Sequence, residues 1–153
     1  MADYPRFPLF VDLSGKKIVV VGGGRIALRR IRTLTQFTEK VTVVSPELHP
    51  DLLPLEEAGR LTVLRRPYAP ADIEGAALVL AATDNKEVNE AVYADCKRLD
   101  IPVNVSSDRH KSDFYFPGIV EKDNVVVGIT ASGSDHHLAR QVREIISSAL
   151  EKI

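Results

Sequence analysis

Lys17–Val21 forms a continuous apolar strand pattern that runs straight into Gly22-Gly23-Gly24, and a helical pattern, Ile26–Phe37, begins almost at once. This join constrains the chain more than any other feature. A strand without polar alternation is buried on both faces, as in a parallel sheet covered by helices. The alternation then repeats. Val41–Ser45, Leu61–Leu64, Ala77–Ala82 and Ile101–Val105 read as further strands, Leu52–Ala58 as a short helix and Val88–Leu99 as a longer one. The class is therefore α/β.

After Val105 the pattern changes to a polar loop, 106–113, followed by a strand reading Phe114–Val120, a Lys122-Asp123-Asn124 turn and a second strand reading Val125–Thr130. A hairpin alone is marginal in water and needs a cover. The last helix, Asp135–Glu151, carries Leu138, Val142, Ile145, Ile146, Ala149 and Leu150 on one face, more apolar surface than a hairpin need cover. A homodimer accounts for the surplus. The expected layout is a Rossmann-like parallel sheet over residues 1–112 and a small β-hairpin plus helix dimerisation region over 113–153.

Composition excludes several classes. Twenty Lys plus Arg against twenty-one Asp plus Glu leave a net charge of -1, so no basic field points to nucleic acid or an anionic membrane. No apolar run approaches the ~20 residues of a membrane helix, and the Met1–Pro5 start lacks signal-peptide character. One cysteine, Cys96, makes no internal disulfide and suits a reducing compartment. The expectation is a soluble, cytoplasmic protein without a metal site.

Gly22-Gly23-Gly24-Arg25-Ile26-Ala27 fits G-x-G-x-x-A in its strand–turn–helix setting. Gly22 permits the tight turn, Gly24 lets backbone approach a pyrophosphate, and Ala27 lets helix pack on strand. The first amides of the helix, at Arg25 and Ile26, then face the negative charge. A tight turn of a flavodoxin-like fold without a ligand is the bland alternative. The next strand lacks the usual terminal carboxylate for the adenosine ribose. Ser45-Pro46-Glu47 stands there instead, with Ser45 able to hydrogen-bond a hydroxyl and Glu47 close by, while Arg25 beside it suits a 2′-phosphate; NAD is favoured over NADP. At the end of the fourth strand, Thr83 and Asp84 either contact a ribose or nicotinamide or cap the following helix.

Several strings occur in a fixed order: Tyr4-Pro5-x-Phe7-Pro8-Leu9-Phe10-x-Asp12-Leu13, Val19-Val20-Val21-Gly22-Gly23-Gly24-x-x-Ala27-x-Arg29-Arg30, Ala81-Ala82-Thr83-Asp84, Val103-Asn104-Val105, Phe114-x-Phe116-Pro117 and Leu138-Ala139-Arg140. In this the chain resembles the precorrin-2 dehydrogenase / sirohydrochlorin ferrochelatase family, the N-terminal module of siroheme synthases, over nearly its whole length. The resemblance implies NAD-dependent oxidation of precorrin-2, a tetrapyrrole, to sirohydrochlorin, sometimes followed by ferrous iron insertion in the same cleft of an intertwined homodimer. It also places Asn104 among the cofactor contacts.

Three departures qualify it. The family's catalytic aspartate falls on Ser107, and Asp108 follows one position later. Serine is no proton acceptor near neutrality, so Asp108 substitutes or the role is diminished, with His110 in the same loop a further candidate for proton transfer. Asp135 replaces a serine before the last helix and suits its N-cap, while the adjacent His136 and His137 point in different directions and make no helical metal pair. The chain also stops at Ile153 where family members continue, which implies a more open site or a partner that closes it. Arg29-Arg30 and Arg65-Arg66 suit the carboxylates of a polyacidic substrate, though solvation is the commoner fate of such pairs. Dehydrogenation leans mainly on binding and orientation, so it tolerates loss of one acid better than metal insertion does. The alternative function is an NAD-sensing regulatory module without catalysis, which would have no use for the Phe114-x-Phe116-Pro117 hairpin.

Overall fold

A computed structural model describes residues 4–153 and divides them into two compact units, 11–114 and 4–10 with 115–153. The sequence pattern places a single boundary at residue 112, whereas the smaller unit also takes in residues 4–10.

The larger unit is built on five parallel strands, β1 (Ile18–Val21), β2 (Val41–Val44), β3 (Leu61–Leu64), β4 (Leu78–Ala81) and β5 (Val103–Val105), in the order β3-β2-β1-β4-β5. The order reverses between β1 and β4. In open sheets of this kind ligands bind outside the carboxyl ends of the strands at that reversal. Every residue of β1 is buried, as the absence of polar alternation requires. On one face Val19, Val21, Val79, Ala81, Val103 and Val105 pack with Ile73, Val92 and Cys96. Cys96 is fully buried, and burial pushes its thiol up to about 12. α1 (Arg25–Leu34) buries Ala27, Leu28, Ile31 and Leu34, the i, i+1, i+4, i+7 stripe of an amphipathic helix. α2 (Leu53–Glu57) follows a short 3-10 turn over Pro50–Leu52, and a second such turn, Pro70–Ile73, precedes β4.

α3 spans Lys86–Arg98, and its N-cap is Asn85, whose side chain accepts the Glu87 and Val88 amides at 3.0 and 3.1 Å. This corrects the reading that gave the cap to Thr83 or Asp84: the acceptor that reaches the second and third helical amides is one residue further along. α1 begins at Arg25, one residue earlier than its apolar spacing suggested, and ends at Leu34 in a turn through Phe37.

In the smaller unit, β6 (Gly118–Lys122) pairs antiparallel with β7 (Val125–Ile129), from Gly118 opposite Ile129 to Lys122 opposite Val125. The strand expected from Phe114 starts at Gly118. Pro117 has no N–H to donate to a ladder, and the aromatic run before it does not pair. α4 (His136–Leu150) packs on both strands, and Lys122 Nζ donates to Leu150 O at 2.6 Å. Asp135 is its N-cap as expected, its carboxylate accepting the Leu138 amide at 2.8 Å. The Arg6 guanidinium lies 4.7 Å from the centre of the Tyr115 ring. No residue of α4 is fully buried, and Leu138 and Ile145 are exposed.

Candidate functional site

The turn between β1 and α1 is shaped by three different demands. Gly22 has φ +126°, and a Cβ there would sit 2.3 Å from Ala82 O, so the end of β4 presses directly on it. A Cβ on Gly23 would sit 2.3 Å from Glu47 O and 2.9 Å from Ser45 Oγ, so the loop after β2 closes on it from the other side. Gly24 differs: nothing lies within 4 Å of its added Cβ. The first two glycines are required by the protein's own backbone, whereas the third faces open space where a ligand can approach. Gly24 is also the N-cap of α1 and supplies no side-chain cap, and the first turn holds no acidic residue. Uncapped helix amides beside a side-chain-free approach fit a pyrophosphate.

The loop after β2 is tied to this turn. His49 N–H donates to Gly23 O at 2.6 Å, and His49 Nδ1 accepts the Asp51 amide at 3.2 Å, which gives this histidine a structural task. Ser45 is buried, and its hydroxyl donates to Glu47 O at 2.6 Å. Its proton is therefore engaged within the loop, and Pro46 and Glu47 are the exposed residues there.

At the end of β4, Thr83 Oγ1 lies 2.9 Å from Asn85 O and 2.7 Å from Asn89 Oδ1, and it accepts the Asn85 amide at 3.1 Å. Asp84 is exposed. Asn104, on β5, is buried with both ends of its carboxamide engaged. Arg30 Nη1 donates to its Oδ1 at 2.5 Å, and its Nδ2 donates to Phe114 O at 2.9 Å. It braces α1 to the segment after β5. Burial, with a smaller push from Arg29, lowers the Arg30 guanidinium to about 10. The sequence pair Arg29-Arg30 thus splits into one exposed and one half-buried residue. Arg65 and Arg66 are each held by an acid: Arg65 by both oxygens of Glu56, Arg66 by both oxygens of Asp72. A bidentate partner already occupies each of them, in place of the solvated state that the sequence made the commoner fate of such pairs.

Ser107, Asp108 and His110 lie together in the loop after β5. Ser107 is exposed and its Oγ accepts Asn89 Nδ2 at 3.3 Å. Asp108 caps the turn Arg109–Lys111 by accepting the His110 amide at 2.9 Å, and His110 is exposed. Lys111 pairs with Glu90, which raises its ammonium above the usual range. Three supporting residues escaped the sequence reading. Buried Ser112 accepts the Val105 amide at 2.9 Å, Asp113 accepts the Val103 amide at 3.0 Å, and Asn89 is 2% exposed on α3. Only Asn89 left a trace in the sequence. It shares the i, i+3, i+7 stripe of Val92 and Cys96, and a polar residue in an apolar stripe must be fully hydrogen-bonded.

A sheet reversal beside an open glycine turn and an uncapped helix defines a dinucleotide-binding α/β protein. The chain belongs to the family whose model, described as "Putative NAD(P)-binding", matches residues 9–118. It is 40% identical over 150 residues to siroheme synthase 2 of Aeromonas salmonicida (strain A449), covering 98% of this chain and 30% of that one. Against the siroheme synthase of Chromobacterium violaceum it is 40% identical over 144 residues, covering 94% and 31%. The chain thus spans about three tenths of the length of these relatives. Among solved structures it is similar to SirC, precorrin-2 dehydrogenase, with TM-score 0.83 and 28% identity over 94% of this chain and 70% of that one. The resemblance to siroheme synthases drawn from the ordered motifs holds. Among the described residues no helix is long and apolar enough to cross a membrane.

Proposed function

We propose that this chain oxidises precorrin-2 to sirohydrochlorin with NAD, as a cytoplasmic homodimer, with iron insertion weak or absent. The observation that carries this reading is the likeness to SirC, which runs through 94% of the chain. NAD, when bound, supplies the hydride acceptor. The backbone at Gly22, Gly23 and Gly24 and the amides of Arg25 and Ile26 hold its pyrophosphate; Ser45 and Pro46 flank its adenosine ribose; Thr83, Asp84 and Asn104 border its nicotinamide end. The exposed Glu47 carboxylate disfavours a 2′-phosphate, hence NAD rather than NADP. The two-electron oxidation also releases a proton. Asp108 accepts it in this reading, beside Ser107 at the position where the family resemblance expects a carboxylate, with His110 as the neighbouring alternative.

The apolar faces exposed on α4 and on residues 4–10 support the dimer, with 113–153 as the region that carries it and 1–112 as the cofactor-binding region. Incubation with precorrin-2 and NAD should yield NADH and sirohydrochlorin together, by absorbance. Absence of both, with NAD still bound, would leave a cofactor-binding protein of another kind. Asp108→Ala should slow the oxidation by about a hundredfold if the carboxylate is the base. Robust iron insertion that survives this change would move the proton transfer to His110.

A further inference from the structure

We propose that Asn89 is a positioning residue that locks the loop after β4 to the loop after β5 and sets the Ser107 hydroxyl as a hydrogen-bond donor toward an acceptor-rich substrate. For the identity of that substrate, an acidic tetrapyrrole, the proposal rests on the function given above.

The Asn89 carboxamide is 2% exposed and has every hydrogen-bonding position filled. Its Oδ1 accepts Thr83 N–H at 3.2 Å and Thr83 Oγ1 at 2.7 Å; its Nδ2 donates to Thr83 O at 3.0 Å and Ser107 Oγ at 3.3 Å. Because Thr83 presents an amide N–H to one end and a carbonyl to the other, the carboxamide has one orientation only. Reversal would set N–H against N–H and oxygen against oxygen. The amide nitrogen is therefore the group that meets Ser107.

That leaves the Ser107 proton available at an exposed site. A serine oxygen that accepts an amide proton keeps its own O–H for another partner. A carboxylate at the same position would be an acceptor only. Position 107 thus offers a proton where the family resemblance leads one to expect a negative charge, and that proton suits a substrate carboxylate. Asn89 also reaches the cofactor turn, since the Ala82–Thr83 backbone it holds is the segment that presses on Gly22.

The first test needs no turnover. In Ser107→Asp the new carboxylate should titrate about one pH unit lower, by carbon NMR, with Asn89 present than in the Asn89→Ala background, because the amide donor stabilises the anion. If Asn89→Ala does not fold, Asn89→Asp retains the acceptor for Thr83 and should raise that titration instead. Titration unaffected by residue 89 overturns the proposal. The second test uses sirohydrochlorin binding and steady-state kinetics. Ser107→Ala should weaken binding and raise KM about fivefold with kcat nearly unchanged, and should add nothing once Asn89→Asp is in place. Independent, multiplying effects overturn it. A wild-type protein that neither binds nor oxidises the tetrapyrrole removes the substrate reading, while the NMR titration still decides whether Asn89 governs position 107.

Discussion

Residues 11–114 and the unit made of 4–10 and 115–153 handle apolar surface in opposite ways. In the first, the strands, α1 and α3 enclose side chains such as Ile18, Val20, Ile31 and Leu80 completely. In the second, two strands and α4 leave none of the helix buried, and Phe7, Phe10 and Ile145 are 85%, 74% and 68% exposed. Two faces of a sheet give a chain two sites of burial, whereas a lone hairpin with one helix offers a single shallow one. The lesson is that a two-faced sheet encloses its apolar side chains, while a hairpin with one helix leaves many of them in solvent.

The most direct way to break this contrast is to truncate one isoleucine in each unit. Ile18→Ala should cost about 4 kcal/mol in denaturant unfolding. Ile145→Ala should cost under about 0.5 kcal/mol in dilute protein. A larger loss at Ile145 that grows with concentration, together with a sedimenting species of twice 16.8 kDa, would show that a second copy covers it. Equal losses at both sites under dilution would erase the contrast.

The glycine turn sharpens it within the first unit. Gly22→Ala forces a side chain at φ +126° against Ala82 O and should cost about 3 kcal/mol, measured by unfolding. Gly24→Ala meets open space and should leave stability nearly unchanged while weakening NAD binding, measured by calorimetry. Gly24→Asp should weaken it further by placing charge against phosphate.

The smallest effect concerns pH. The Arg66 guanidinium and the Ala69 amide hold the nearly buried Asp72 carboxyl below the usual carboxylate range. A carboxylate with a depressed folded value contributes stability above its unfolded value and loses it as pH falls through the folded one. Unfolding free energy should therefore fall below about pH 4, and Asp72→Asn should flatten part of that decline. Because Arg66 is 46% exposed, solvent screening keeps the change small.

What the sequence disclosed follows the range of the interactions. β3 is read correctly at both ends, since Leu61–Leu64 is a local pattern, and the G-x-G-x-x-A string marks the turn because a positive φ is a local demand. Phe114–Phe116 misled because aromatic residues suit a strand, while Pro117 withholds the donor the ladder needs. Other features depend on segments far apart in the chain. Gly23 is crowded by the carbonyl of Glu47, and Arg30 reaches Asn104 across 74 positions. No window of sequence contains either pair. The candidate acid–base loop was legible as Ser107, Asp108 and His110, but its attachment to α3 through Asn89 was not.

Cys96 has a practical consequence. It is the chain's single cysteine, fully enclosed between α3 and the sheet, with its thiol pushed up to about 12. In the native arrangement it is both out of reach and protonated, so an alkylating reagent gains access only when α3 lifts from the strands. The rate of alkylation is then a clock for that opening, read by mass spectrometry without any engineered label. Saturating NAD should slow the clock if the cofactor bridges the β1 and β4 turns, which gives the unit a built-in gauge of how firmly ligand binding clamps the layer behind it.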